Sequence, residues 1–188
     1  MKNKYVISRR ENVKYVKNNL DRLVTNALLL ARYSDDDPLR VPARDNFYKA
    51  FDFIMNSPEV ENDYQCLLRL HEILMENLNE GIKSSLTDQQ VEELSAMINQ
   101  PAKANVEIAI DVMLYILDKR LFDDGDVRVA IMFANKIMID NGWVIITVAA
   151  SRKDEFRELY HAYRQQKTEE FKDWIYRYCV RGPKVEYQ

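Results

Sequence analysis

The chain has 188 residues, a formal net charge of −3 and a pI near 5.5. Its length fits a single domain, and 47% hydrophobic with 30% charged residues is typical of a globular protein with a sizeable core. The acidic balance argues against a dedicated nucleic-acid-binding protein, which usually carries a basic surface. With 4 glycines and 5 prolines, the composition also disfavours a sheet protein that needs many tight turns.

Helical spacing of apolar residues predicts a series of helices in the first half of the chain. The first runs from 11 to 33, SDDDPLRVPAR forms a loop, and a second helix covers roughly 44 to 55. Ser57 and Pro58 are typical of an N-cap and a first helical residue, and a helix of about 61 to 78 follows them. Thr87 and Gln90 predict a capping box that opens the next helix.

Two segments in the second half, 106 to 117 and 127 to 139, are apolar on nearly every side. This pattern predicts two helices that are buried at the centre of the domain. Asn141-Gly142 predicts a left-handed C-terminal cap, and WVIITV is the one β-like run. Helical patterns also follow Ser151 and Thr168, so the sequence predicts an all-α fold built around a central helix pair.

Targeting signals and cysteines indicate the compartment. The N-terminal sequence MKNKYVISRRENVKYV lacks the apolar centre of a signal peptide, and no apolar run approaches the roughly 18 residues of a membrane span. Cys66 and Cys179 fall in apolar helical patterns, at a spacing that suits neither a metal site nor a disulfide framework. We therefore expect a cytoplasmic protein with two buried free thiols and no membrane partner.

The sequence RLFDDGDVR, residues 120 to 128, connects the two central helices. The start of a buried helix presents unpaired backbone N–H groups, which favour an anion, and Gly125 permits the dihedral angles of a loop that wraps a phosphate. In such a loop Asp124 could hold Mg²⁺, and Arg128 could pair with a phosphate oxygen. The alternative is a solvated turn in which Asp126 caps the following helix.

This segment resembles the HPFxDGNGRxxR signature of the Fic/Doc family. LLRLHEILMENL and the long segment from NGWVIITV to FKDWI resemble the family's sequences on either side, so the resemblance covers roughly residues 44 to 180. It implies a Fic-type helical bundle around a central helix-loop-helix, with an N-terminal helix and loop (1–43) and a short tail (181–188). Family members typically transfer AMP from ATP to a protein hydroxyl with Mg²⁺, and some transfer phosphate.

The resemblance also implies roles for individual residues. Phe122, Asp124, Gly125 and Arg128 agree with the motif. Asp124 would bind the metal, and Gly125, Asp126 and Arg128 would surround the phosphates. The implied cofactors are ATP and Mg²⁺, and the implied partner is a protein substrate.

Several positions depart from the motif. Arg120 occupies the position of the catalytic histidine, and an arginine stays protonated and cannot accept a hydroxyl proton. Losing a general base typically costs about 10²–10⁴-fold in rate. Val127 replaces a glycine and disfavours positive φ, Asp126 adds negative charge where a phosphate should lie, and Ile131 replaces the second arginine. The short stretch between Leu78 and 91 also predicts that the family's β-hairpin flap is lost or shrunken.

These departures leave three hypotheses. The preferred one is a Fic-family protein with a degenerate motif that lacks standard AMP transfer and acts through protein binding or regulation. The alternatives are an atypical nucleotidyl- or phosphotransferase and an ATP–Mg²⁺ sensor, both using Asp124, Gly125 and Arg128. Whether the protein is an enzyme is therefore open, and the sequence names neither the partner nor the oligomeric state.

Other candidate features have simpler interpretations. His71 lies on an apolar helix face, which favours a hydrogen-bonded core histidine. Ser57 to Asn62 fits the pattern of the family's inhibitory helix, but the partner arginine is missing and a chance match is preferred. A basic N-terminal stretch is more often a solvated face than a contact for an acidic partner, and the aromatic segment FKDWIYRYC is more often core than interface. The basic residues are Lys2, Lys4, Arg9, Arg10, Lys14 and Lys17.

Overall fold

The computed structural model describes residues 1–31, 33–78 and 86–183, and this part of the chain is all-α. In chain order the helices are α1 (Arg9–Asn18), α2 (Leu20–Leu30), α3 (Arg40–Asn56), α4 (Tyr64–Met75), α5 (Asp88–Ile98), α6 (Asn105–Lys119), α7 (Asp126–Asp140), α8 (Lys153–Gln166) and α9 (Glu169–Tyr178). A single 3-10 turn, Ala150–Arg152, precedes α8. Two short strands, β1 (Ile145–Ile146) and β2 (Val180–Arg181), pair in antiparallel fashion.

Helices α6 and α7 form the centre of the fold, as the sequence predicts. Every residue of α7 from Arg128 to Ile139 is buried, and α6 is buried from Ile108 to Leu117 except at Asp111. Helices α1, α3 and α4 pack against α7, whereas α5 and α9 pack against α6. Because the pair is covered on all sides, neither helix needs a polar face, which explains its continuous apolar sequence.

The predicted first helix is in fact two helices. Asn19, at φ −120°, ends α1, and α2 begins at the next residue. The side-chain amide of Asn19 donates to the backbone oxygen of Tyr15, one turn earlier. The apolar stripe does not reveal this break, because both helices bury their apolar residues in the same core.

The boundaries of α3 and α4 also differ from the prediction. Helix α3 begins at Arg40 and holds Pro42 in its first turn. The missing N–H of the proline costs no helical hydrogen bond there, because the first N–H groups of a helix have no partner within the helix. Ser57 ends α3 instead of opening the next helix. The N-cap of α4 is Asp63, whose Oδ1 accepts the N–H of Cys66 at 2.9 Å.

Other local predictions are confirmed. Thr87 and Gln90 form the capping box of α5, and Gly142 adopts φ +71° just after α7. The Ile7 N–H donates to the Gly142 oxygen at 3.1 Å, and a Cβ at position 142 would lie 1.9 Å from the oxygen of Ile7. Glycine is therefore required where the N-terminal segment crosses the end of α7.

The side-chain amide of Asn135 connects α7 to the small sheet. It donates to the Ile146 oxygen at 2.9 Å and accepts the Ile146 N–H at 2.7 Å, so it pairs with β1 as a neighbouring strand would. Within the described residues, no helix is long and apolar enough to cross a membrane. The predicted shortening of a flap after Leu78 falls largely on residues 79–85, which lie outside the described residues.

Candidate functional site

The loop between α6 and α7, residues 120–126, is here called the central loop. It contains two residues in the left-handed region, Arg120 at φ 48° and Gly125 at φ 91°. Arg120 ends α6, where its N–H donates to Ile116, and Gly125 stands immediately before α7. The two left-handed residues reverse the chain between two buried helices. Glycine adopts the left-handed conformation readily, whereas arginine adopts it at some energetic cost.

His71 of α4 lies directly beneath the central loop. Its side chain is buried, its ring stacks on Phe122 with centroids 3.9 Å apart, and its Nε2 lies 2.8 Å from the backbone oxygen of Asp124. A carbonyl only accepts, so Nε2 carries the hydrogen. Burial lowers the pKa of His71, which favours this neutral form. The prediction of a buried, hydrogen-bonded histidine is confirmed. Its contacts with Phe122 and with the Asp124 oxygen are made to the central loop.

Gly125 fits closely over the same histidine. A Cβ at this position would lie 3.3 Å from the His71 ring and 2.8 Å from the sulfur of Met75. The positive φ and the close approach both select glycine, so this motif residue has a structural reason to be present whether or not the loop binds a phosphate.

Asp124 and Arg128, the residues predicted to bind metal and phosphate, are paired with each other. The Nη2 of Arg128 lies 3.3 Å from each carboxylate oxygen of Asp124, and Nη1 donates to the sulfur of Met75 at 2.9 Å. The guanidinium also lies 5.2 Å from the ring centroid of Tyr33, and the Arg128 side chain is 10% exposed. Arg128 is therefore held by three neighbours on the inner side of the loop.

These contacts fit a metal ion poorly. Both oxygens of Asp124 lie 3.3 Å from the Arg128 guanidinium, and Oδ1 also accepts the Gly125 N–H at 2.6 Å, so a cation bound by this carboxylate would have to displace the guanidinium. Within residues 1–31, 33–78 and 86–183, no group of three or more His, Cys, Asp and Glu side chains is placed to hold a metal. The donor set around Asp124 is that of an ion pair.

Asp126 is the first residue of α7, and its side chain turns back into the loop. Its Oδ1 accepts the Phe122 N–H at 3.2 Å, and it makes a further backbone hydrogen bond with Leu121. It does not cap α7, as the turn hypothesis proposed, because Gly125 holds the N-cap position. Burial raises the pKa of Asp126 to about 6, although the two backbone hydrogen bonds and the nearby Arg120 charge act in the opposite direction.

Replacing Asp126 with asparagine is expected to stabilise the protein near about pH 8 and to change it little near about pH 4. The folded-state pKa of about 6 lies above the unfolded-state value, so proton binding favours the folded state. That contribution is complete below the unfolded-state pKa and is lost as the pH rises through about 6. Asparagine has no charge to desolvate, and its oxygen can still accept both N–H groups.

Urea unfolding of both proteins at several pH values measures this effect. The matched control is Asp123→Asn, at an exposed position. It should change the free energy of unfolding by the same small amount at every pH. An equal effect of Asp126→Asn on the free energy of unfolding at both ends of the pH range would contradict a raised pKa at Asp126.

The central loop forms one wall of a cavity of about 460 Å³. Tyr160 of α8 lies on its rim, where its hydroxyl donates to the Leu117 oxygen at 2.8 Å. Sequence reasoning did not single out Arg164, which lies one turn further along α8 and also faces the cavity. Among the described residues, the charged side chains that line it are three arginines and three aspartates: Arg120, Arg128, Arg164, Asp123, Asp124 and Asp126. These positive and negative charges are equal in number.

The segment that resembles an inhibitory helix lies far from this cavity. Residues 57–62 form no helix, and Asn62 donates to Asp140 Oδ2 at 3.2 Å, at the last residue of α7. The central loop is at the other end of α7, about 20 Å away at 1.5 Å per residue. This position gives Ser57 to Asn62 no contact with the central loop through Asn62, which favours a chance match, the preferred interpretation of the pattern.

The two cysteines offer no nucleophile to the site. Both are free and buried, and burial raises the pKa of each thiol to about 12. A thiol with such a pKa is almost entirely protonated at neutral pH, and the thiolate is the reactive form. The prediction of buried free thiols is confirmed.

No protein-family model matches the chain, and no curated protein sequence matches it. The class of protein is therefore defined by the fold and the site: an all-α protein with a buried helix-loop-helix whose loop faces a charged cavity. Any assignment of function has to come from the geometry of that loop.

Proposed function

We propose that this protein is a Fic-like protein that has lost AMP transfer and acts by binding another protein. The single observation that carries the proposal is that the charged groups of the central loop bind one another. Arg128 pairs with Asp124, and Asp126 bonds the backbone of the loop itself. A loop that already satisfies its own ionic groups favours a structural role over the cradling of a triphosphate.

The positions required for proton transfer support the same proposal. Arg120 stands where the family's general base stands, and a guanidinium cannot accept a proton at physiological pH. His71 is the nearest imidazole in the loop's surroundings, but it is buried and donates its Nε2 hydrogen to Asp124. Neither residue is placed to deprotonate a target hydroxyl in the cavity.

Electrostatics supports weak nucleotide affinity. A nucleoside triphosphate carries several negative charges, while the described arginines and aspartates that line the cavity are equal in number. Arg128 would have to leave Asp124, Met75 and the Tyr33 ring to reach a phosphate, which would leave the Asp124 carboxylate without that pairing. Arg120 and Arg164 are exposed and remain available to meet acidic or hydrogen-bonding groups of a protein surface.

The proposal is tested by calorimetry with ATP, GTP and CTP in the presence of Mg²⁺, followed by incubation with α-labelled ATP and protein substrates. We expect no binding heat at about millimolar nucleotide and no labelled protein. Arg120→His restores the motif histidine, with Arg120→Lys as the matched control that keeps the positive charge. Nucleotide binding by the wild-type protein, followed by transfer of label to a protein, would contradict the proposal that AMP transfer has been lost.

A second candidate function is supported by Asp126 alone. A carboxylate with a pKa of about 6 at the edge of a cavity is suited to act as a general base near neutral pH. On this alternative the protein is an atypical nucleotidyl- or phosphotransferase in which Asp126 replaces the histidine. Label transfer that disappears in Asp126→Asn, but persists in Asp123→Asn, would identify it. Nucleotide binding without transfer would instead indicate an ATP–Mg²⁺ sensor.

A further inference from the structure

The basic N-terminal stretch and the aromatic C-terminal segment lie together. The Lys4 ammonium donates to the backbone oxygens of Tyr176 and Arg177 at the end of α9, and it lies 4.5 Å from the Tyr176 ring centroid. The Tyr176 hydroxyl donates to the backbone oxygen of Lys2 at 2.7 Å. Two segments that are more than 170 residues apart in sequence therefore form one surface.

Further cations surround this contact. Arg152 lies over the ring of Tyr178, 4.2 Å from its centroid. Arg181 lies in β2, three residues after the end of α9, and burial together with the charge of Arg181 lowers the pKa of Lys4. We call Lys2, Lys4, Arg152, Arg177 and Arg181 the basic surface; all but Arg152 are exposed.

The end of α9 does not require so much positive charge. A helix C-terminus is equivalent to roughly half a negative charge, and Lys4 alone is enough to satisfy it. Among the contacts of the described residues, Glu155 is the carboxylate that pairs with a member of the basic surface, at 2.7 Å from Arg152. In the described part of the chain, Arg152 is thus the one member of the basic surface with a carboxylate partner, on a chain whose overall charge is −3.

We propose that the basic surface docks an acidic peptide segment of another protein. Charge complementarity favours an acidic occupant, because the surface is positive on an otherwise acidic chain. A single-stranded nucleic acid fits less well, since base stacking needs free aromatic faces, whereas Lys4 and Arg152 occupy faces of Tyr176 and Tyr178. None of these residues lines the cavity at the central loop, so the surface is separate from the candidate site, and the docking deepens the proposed protein-binding function without depending on the loss of AMP transfer.

Fluorescence anisotropy of the full chain with a labelled oligoglutamate peptide tests this docking. The test variant is Arg177→Glu/Arg181→Glu, whose side chains make no hydrogen bond or ion pair with any residue in 1–31, 33–78 or 86–183. We expect binding at low salt that weakens as salt is added, and a loss of roughly tenfold or more in the variant. The milder Arg177→Gln/Arg181→Gln should lose less, and thermal unfolding checks that each variant folds.

The matched control is Arg44→Glu/Arg69→Glu, which makes the same change in net charge on α3 and α4 at side chains that are 50% and 61% exposed. Compared at an ionic strength of about 0.15 M, it should leave oligoglutamate binding within about twofold of the wild type, because exposed charges beyond a Debye length of about 8 Å are then screened. Equal weakening by test and control variants, no binding of oligoglutamate, or tighter binding of oligothymidylate or phosphatidylserine vesicles would overturn the proposal.

Discussion

Replacing Asp140 with leucine is expected to lower the free energy of unfolding by about 3 kcal/mol. Asp140 pairs with the ammonium of Lys136, one turn earlier on α7, and the Lys136 side chain is 0% exposed. Without the carboxylate, the ammonium keeps a hydrogen bond to the Val60 oxygen at 2.8 Å but has lost its counter-charge. A buried cation whose partner is removed is among the costliest changes in a folded protein.

The same carboxylate connects several segments. Arg9 of α1 lies 3.2 Å from Asp140 Oδ1 and also donates to the Met55 oxygen at the end of α3, while Asn62 donates to Oδ2. Asp140 therefore joins α1, the end of α3 and the turn at 57–62 to the last turn of α7. Its loss should weaken the end of α7 that lies opposite the central loop.

Matched variants separate the buried charge from simple loss of contacts. Lys136→Met fills a similar volume and leaves Asp140 with Arg9 and Asn62, so it should cost less than Asp140→Leu. The double variant Lys136→Met/Asp140→Leu should be more stable than Asp140→Leu alone, as urea unfolding would measure. If Lys136→Met were the more damaging single change, the buried-charge explanation would fail.

The sequence predicted the centre of the fold because local chemistry decides it. Residues 106 to 117 and 127 to 139 are apolar on nearly every side, and the structure buries most of them between other helices. The capping box at Thr87 and the left-handed Gly142 were also predictable, since each depends on residues close in sequence. Errors arose where one residue fits two local structures: Ser57 can open or end a helix, and a break at Asn19 leaves the apolar stripe unchanged.

The candidate site was predictable in location but not in its contacts. The two apolar segments placed the central loop between two buried helices, and the structure has it there. They could not show that Arg128 pairs with Asp124, or that Asp126 turns back to Phe122, because these depend on backbone angles at Arg120 and Gly125. Strand β2 and the basic surface require contacts between distant segments, and one chain without comparison sequences carries no signal for such contacts.

Among the long-range contacts of the candidate site, those of His71 have the largest expected effect on stability. His71→Ala should destabilise the protein by about 3 kcal/mol, since it leaves a cavity beneath Phe122 and removes the donor to the Asp124 oxygen. His71→Phe keeps the stacking and most of the volume, so it should cost about 1–2 kcal/mol, mainly from the lost hydrogen bond to the Asp124 oxygen. Urea unfolding gives both values.

The decisive measurement is local. Hydrogen exchange of the central loop, residues 120–126, should be faster in His71→Phe than in the wild type, because the anchor of the Asp124 carbonyl is gone while the rest of the core is intact. Leu67→Ala is the matched control: Leu67 is one turn earlier on α4 and 0% exposed, so the substitution weakens the core without touching that hydrogen bond. Faster exchange in both variants would make His71 an ordinary core residue, whereas a change confined to His71→Phe means that α4 sets the conformation of the loop and therefore the shape of the cavity.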